Sequence, residues 1–314
     1  MIRGHHHISM FTKDLKENNH FYTAVLGLRR VKVSVNQGDT GMYHVFYGDR
    51  TGSAGNDLTF FEIPNIGATR KGTDSISGIA LLVPSHDSLL YWQERLDRLE
   101  VKNEGIGHYA GRDSLVFRDR EGLKLILINH EGDLVPDEWS PWGGNDVEAE
   151  HRILGMGTVE MTVEDKESLV SLLEDLFGYK KAGENDETAV MQSVEGEVFG
   201  EILIRQSRAD KERPGKGSVH HLAIHSADRP LEEWDRLLKE KGYRTTGVKD
   251  RYYFESLYFR EDNGVMFEIV GPKARGFTAD SSVGDLGDHL DLPPFLEPER
   301  GEIEAKLRPI EEWT

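Results

Sequence analysis

The sequence predicts an α+β protein built from four βαβββ modules that pair into two open mixed-sheet barrels. Three observations carry this reading. Four short apolar stretches, at residues 6–11, 78–84, 156–163 and 218–225, recur along the 314-residue chain. Each is followed by a segment with large apolar residues at three- and four-residue spacing, the period of an amphipathic helix. Residues 117–128 (FRDREGLKLILI) lie over residues 259–270 (FREDNGVMFEIV) without a gap, and both read as strand, polar turn, glycine, strand.

In the first module Leu15, Tyr22 and Leu26 mark the helix, and Gly27 offers a C-terminal cap. Leu89, Trp92, Leu96 and Leu99 mark the second. Leu169, Leu172, Leu173 and Leu176, stopped by Gly178, mark the third. Leu231, Trp234, Leu237 and Leu238, stopped by Gly242, mark the fourth. About three shorter strand-like segments follow each helix. Residues 1–135 therefore hold two modules and residues 153–272 two more. Between them, residues 136–152 carry Pro136, Trp139, Pro141, Trp142, Gly143 and Gly144 with no long period, and read as a linker. Residues 273–314 form an acidic, Pro-containing tail. A strand–helix–three-strand unit leaves one apolar sheet face uncovered, and pairing two units curls their sheets around a cavity.

Composition narrows the function. A net charge of −18 opposes binding to nucleic acid or anionic membranes. No stretch is long and apolar enough for a transmembrane helix, and the start of the chain lacks a signal-peptide core, so a cytoplasmic protein is expected. With no cysteine, any metal must be held by histidine, carboxylate or water.

Two echoing strings stand near opposite ends of the chain: Gly4-His5-His6-His7-Ile8-Ser9 and Ser218-Val219-His220-His221-Leu222-Ala223. A third, Val265-Met266-Phe267-Glu268-Ile269-Val270, sets one carboxylate in an apolar strand, which is costly unless the group is paired or bound to metal. Two histidines and a glutamate from separate strands are the parts of a 2-His-1-carboxylate site with open positions. Strand alternation sends neighbours to opposite faces, so one histidine of each pair is expected to face the cavity. Aligning the opening strands places His7, Gly78, Glu160 and His221 at one position; aligning the closing strands places Glu62, Ile126, Glu201 and Glu268 at another. One metal site across modules one and four is expected, with a vestigial counterpart in modules two and three. Each histidine alone also fits a hydrogen-bonded strand end, and Glu268 alone fits an ion pair with arginine. Glu62 reads either as a fourth ligand or as an exposed edge residue. If Asp262-Asn263-Gly264 form a three-residue hairpin loop, Glu261 pairs with Val265 and Tyr258 lies opposite Glu268. Arg251 begins the next strand upstream and reads as a residue of the cavity mouth or a surface charge.

The fourfold repeat with these strings resembles the vicinal oxygen chelate superfamily of glyoxalases, extradiol dioxygenases and bleomycin-resistance proteins. The His-His-Ile-Ser start, the Val-His-His-Leu-Ala strand and the Phe-Glu-Ile strand resemble, within it, the hydroquinone ring-cleaving dioxygenases of the MhqO type, over residues 4–272. The resemblance implies iron ligands at His7, His221 and Glu268, and supporting residues at His6, His220, Arg251 and Tyr258. Ser9 falls where relatives carry a small hydroxyl residue. It also implies Fe(II), with Mn(II) as an alternative, as the cofactor. A small aromatic substrate and O2 are the expected partners, with self-association left open. The activity implied is ring cleavage of hydroquinones by O2, in detoxification or aromatic catabolism. Two other readings stay open: a glyoxalase-like lyase or isomerase with a non-redox metal, and a non-catalytic binder of aromatic compounds.

Overall fold

Each module forms one strand, a helix that buries its apolar stripe on the sheet, and three further strands. The computed structural model describes residues 2–132, 134–272, 275–279 and 281–313. Module one comprises β1 (Ile2–Thr12), α1 (Leu15–His20), β2 (Arg29–Asn36), β3 (Asp39–Gly48) and β4 (Asp57–Glu62). Module two comprises β5 (Ser75–Val83), α2 (His86–Arg98), β6 (Asn103–Tyr109), β7 (Arg112–Arg118) and β8 (Lys124–Asn129). Module three comprises β9 (Gly155–Val163), α3 (Lys166–Leu172), β10 (Lys180–Glu184), β11 (Thr188–Gln192) and β12 (Glu201–Gln206). Module four comprises β13 (Val219–Ser226), α4 (Leu231–Glu240), β14 (Lys249–Asp250), β15 (Glu255–Arg260) and β16 (Met266–Val270). The tail adds α5 (Arg300–Glu304).

Local chemistry sets these boundaries. Asp14, Ser85 and Asp165 cap α1, α2 and α3 by accepting from the backbone N–H groups of Lys16, Ser88 and Ser168. A wider π turn prolongs α1 over Phe21–Val25 and α3 over Leu173–Phe177, and the latter stops at Gly178 in the left-handed region. Leu231, Trp234 and Leu238 are the buried stripe of α4. The Trp234 indole donates to Ser226 Oγ at 2.8 Å, so its one polar atom is satisfied inside the core.

Two eight-stranded mixed sheets result, and each draws on both halves of the chain. The first runs β14-β15-β16-β13-β1-β4-β3-β2 and joins modules four and one. The second runs β10-β11-β12-β9-β5-β8-β7-β6 and joins modules three and two. In each, two opening strands meet antiparallel at the centre, and each opening strand pairs in parallel with the closing strand of its own module.

The ends of the first sheet come together. Gln37, just after β2, donates through Nε2 to the carbonyl of Arg251 at 2.8 Å. The Lys32 ammonium on β2 lies 3.6 Å from the Tyr253 ring centroid. The sheet therefore curls into a barrel whose lumen faces both the central β1–β13 pair and the seam opposite it. The tail packs along that seam: Asp291 N–H donates to the Val33 carbonyl at 2.8 Å, and Arg30 Nε donates to the Gly287 carbonyl at 2.8 Å.

Among the described residues no helix is long and apolar enough to cross a membrane.

Candidate metal centre

The central strands of the first barrel bring His7 on β1, His221 on β13 and Glu268 on β16 to one point. His7 Nε2 and His221 Nε2 lie 3.1 and 2.8 Å from Glu268 Oε2, and 3.4 Å from each other. The three residues are 2%, 3% and 0% exposed. Two imidazole nitrogens and a carboxylate oxygen thus converge away from water. Neither Glu268 oxygen has a hydrogen-bond partner of acceptable geometry. A buried carboxylate without one is expensive. A cation at the meeting point of three lone pairs removes that cost, so this donor set fits a metal ion. Burial pushes Glu268 upward, but the imidazoles of His7 and His221 outweigh it and hold the carboxylate well below its ordinary range. Burial lowers His221, which keeps its lone pair available as a ligand.

The neighbours of His7 and His221 break the expected alternation. The β1–β13 register runs His5↔Ile224, then His7↔Ala223, and later Ser9↔His221, then Met10↔Val219. His6 and His220 are thus the extra residues of two β-bulges, and a bulge re-aims its side chain. His6 Nδ1 lies 3.0 Å from His7 Nδ1, and His220 Nδ1 lies 2.7 Å from His221 Nδ1. The His7 and His221 rings are thus each held at Nδ1 by the preceding histidine and turn Nε2 toward Glu268. His220 also lines the lumen, against the expectation of one lumen-facing histidine per pair. Burial and the adjacent His221 lower His220 to about 3, and burial, with the neighbouring His7 ring, holds His6 well below its ordinary value, so both are neutral.

The lumen is a cavity of about 270 Å³ beside the triad. Phe46, Phe61, Tyr253, Phe254 and Tyr258 give it aromatic walls. Tyr258 pairs with Glu268 across the β15–β16 ladder. That register follows from the hairpin: Glu261 N–H donates to the Val265 carbonyl, and Gly264 turns the chain at φ 96°. Arg251 lines the mouth, its guanidinium carbon 5.6 Å from the Tyr258 ring centroid.

Glu62 takes no part in the cluster. Phe61 faces the lumen, so its neighbour Glu62 faces away. The Glu62 carboxylate accepts from the Leu15 N–H at 3.0 Å and from Arg308 at 3.0 Å. The sheet register corrects the alignment of the closing strands. Ala223 pairs with Glu268 and Ala80 with Ile126; the matching partners are Thr59, opposite Ser9, and Arg205, opposite Thr162. Thr59 and Arg205 therefore replace Glu62 and Glu201 as counterparts of Glu268. Strand pairing decides equivalence: it keeps the gapless match of modules two and four and departs from the alignment in modules one and three, where longer loops, residues 49–56 and 193–200, precede β4 and β12 than the residues 119–123 and 261–265 that precede β8 and β16. In the second sheet Glu160 meets Arg205 at 2.8 Å and Lys124 at 2.9 Å, so an ion-pair cluster fills the place of the triad.

Three residues escaped the sequence reading: His44 and Lys32, which line the lumen, and Thr59, which is hydrogen-bonded to His44. Ser9 Oγ lies 2.7 Å from Thr59 Oγ1, which lies 2.9 Å from His44 Nε2. A line of polar groups thus crosses three adjacent strands. The His44 ring stacks on Phe61 with centroids 4.1 Å apart. The available signal was alternation, because Lys32-Val33-Ser34-Val35 places its polar members on one face, which in a curled sheet is the lumen rather than solvent.

A curled mixed sheet of paired βαβββ modules around a two-histidine, one-glutamate cluster defines the class. The profile described as the Glyoxalase/Bleomycin resistance protein/Dioxygenase superfamily matches residues 4–127. The chain belongs to that superfamily and, within it, to the ring-cleaving dioxygenase family of MhqA. MhqA of Bacillus subtilis (strain 168), named as a ring-cleaving dioxygenase, is 43% identical, with 99% of each chain covered. A chlorohydroquinone/hydroquinone 1,2-dioxygenase of Sphingobium indicum is 26% identical, covering 96% of this chain and 95% of its own. The crystal structure of a Bacillus subtilis protein titled a dioxygenase superposes with a TM-score of 0.90 at 30% identity, covering 98% of this chain and 97% of the other.

Proposed function

We propose that the protein is an Fe(II)-dependent dioxygenase that opens the ring of hydroquinone-type aromatics with O2, and that it serves to remove quinone-forming compounds. The observation that carries this reading is the convergence of His7 Nε2, His221 Nε2 and Glu268 Oε2 within 3.4 Å beside an aromatic-walled cavity. His7, His221 and Glu268 would hold the metal, which would supply Lewis acidity toward a phenolic hydroxyl and redox chemistry toward O2.

The chain's own residues set the rest. With Nε2 of each ligand directed to the metal, Nδ1–H is the donor, which makes His6 and His220 acceptors at Nδ1 and places their own protons on Nε2. His220, which lines the cavity, then offers an Nε2–H to a substrate oxygen. Tyr258 donates from Oη beside the triad, and Arg251 supplies fixed positive charge for the negative charge that develops there. Ser9, tied to Thr59, keeps its hydroxyl on the β1 side of the site. Phe61 and Phe254 give the cavity apolar wall beside the triad, against which an aromatic ring would pack.

A closed, four-ligand lyase site finds no support at Glu62, whose carboxylate is turned to Leu15 and Arg308. The test is anaerobic loading with Fe(II), elemental analysis, and O2 uptake with methylhydroquinone. Stoichiometric iron and one O2 consumed per ring opened are expected. Iron-loaded protein that binds the hydroquinone without consuming O2 would overturn the reading.

A further inference from the structure

The lumen carries a buried cation far from the metal strands. Lys32 on β2 is 2% exposed, yet it borders the same cavity as the triad. Its ammonium lies 3.6 Å from the Tyr253 ring centroid and 5.3 Å from that of Phe277. It is ion-paired with Asp291 of the tail. Tyr253 Oη donates to the other Asp291 oxygen at 3.3 Å. The tail thus reaches over the sheet seam and holds the lysine head in place.

Position gives this arrangement its meaning. β2 is the last strand of the barrel sheet, three places from β1, and it meets the segment before β15 at the seam. The metal strands are central and the seam lies across the lumen from them. Lys32 and the triad line one cavity from opposite sides of the sheet order, so a ring with one oxygen at the triad would have its far edge on the side of the lumen that Lys32 occupies. Burying an ammonium is costly, and an apolar trio at this seam would be at least as stable as the ion pair with its aromatic neighbours. An ammonium carries three N–H donors, and any donation to a ring oxygen would come alongside the contacts Lys32 already makes.

We propose that Lys32 is a specificity-determining residue that receives the ring oxygen remote from the metal, with Asp291 as its positioning residue. The inference rests on the proposed hydroquinone cleavage and names what makes the site choose a 1,4-dioxygenated ring. A substrate without the second oxygen leaves the ammonium facing carbon, and sites built to bind an oxygen reject analogues that lack it.

The test uses full-length protein loaded with Fe(II) under nitrogen. Dissociation constants are measured for methylhydroquinone and for 4-methylphenol, which keeps one hydroxyl and replaces the other with carbon. The wild type is expected to prefer methylhydroquinone. Lys32→Met should weaken methylhydroquinone by about 10²-fold and 4-methylphenol by no more than about 3-fold, erasing the preference. Asp291→Asn, which unties the tail but keeps the ammonium, should retain a preference. If Lys32→Met does not fold, the double variant Lys32→Met with Asp291→Leu, which removes both members of the ion pair, supplies the same comparison. Equal weakening of both ligands, or an unchanged preference, would reduce Lys32 to a structural strut and overturn the proposal. Failure of the ring-cleavage reading appears separately, as wild-type protein that binds methylhydroquinone without consuming O2.

Discussion

Tyr258 stands directly across the β15–β16 ladder from Glu268, so phenol and carboxylate share one face of the sheet beside the metal centre. The Tyr258 ring packs edge-on to His221 with centroids 5.5 Å apart. Burial and the nearby Glu268 charge push the phenol upward, so it is a proton donor at neutral pH. Tyr258→Phe removes one hydroxyl and no metal ligand. It should leave the metal stoichiometry intact and lower kcat/KM with methylhydroquinone by about 10²-fold. Loss of metal in this variant would show that the phenol acts on the carboxylate instead of the substrate.

The triad predicts a metal-dependent stability. Without a cation, three lone pairs face one another in a site where His7, His221 and Glu268 are at most 3% exposed. A metal that binds only the folded chain, present at 100 times its Kd, adds about 2.7 kcal/mol. For a chain of 314 residues that corresponds to a rise of roughly 4 °C in Tm. His221→Ala should abolish the response. Thermal melts of both proteins with Fe(II) or Mn(II), and with a chelator, provide the measurement.

In the second sheet Glu160 binds Lys124 and Arg205, and also accepts from Tyr109 Oη at 3.1 Å and Ser77 Oγ at 2.9 Å. Burial pushes its carboxyl upward, but Lys124 and Arg205 outweigh burial and leave it below the ordinary glutamate value. A depressed carboxylate stabilises the fold above its unfolded pKa and loses that contribution as pH falls through the folded pKa. Lys124 and Arg205 are 21% and 43% exposed, so solvent screens part of the effect. Glu160→Gln should destabilise by about 1–3 kcal/mol at pH 7. The gap between the two proteins should close below about pH 4. Urea melts across that range will show it; a gap that persists in acid would mean that packing, not charge, dominates.

The modular plan, the clustering of His7, His221 and Glu268, and the Tyr258–Glu268 pairing were legible because each rests on a local rule. Periodicity marks the helices, and the Asp262-Asn263-Gly264 loop sets the hairpin register. The two bulges were not legible, since His6-His7 and His220-His221 look like regular alternation until the antiparallel partner is known. Glu62 was misaligned for a related reason: the parallel pairing of β1 with β4 is a long-range contact, and it selects Thr59. His44 and Lys32 were hidden by the usual meaning of a polar residue in a half-apolar strand, which is exposure. Only the closure of the sheet at Gln37 and Arg251 turns that face into a lumen.

Thr59 offers the sharpest test of the open-site argument. It stands to His7 on module one as Glu268 stands to His221 on module four, by the register of β1 with β4 and of β13 with β16. It is fully buried, and its hydroxyl joins Ser9 and His44 instead of completing the ligand set. Thr59→Glu should therefore carry a carboxylate toward the metal and occupy a position that O2 or substrate needs. Metal affinity is expected to hold or rise, while O2 uptake with methylhydroquinone falls by at least about 10²-fold, as for loss of a transition-state contact. Thr59→Val separates this from simple disruption. It breaks the line from Ser9 to His44 without adding a ligand, so it should retain metal and keep more activity than the glutamate variant. If the valine variant is as inactive as the glutamate variant at full metal occupancy, the hydroxyl line, rather than the open coordination position, is what turnover requires.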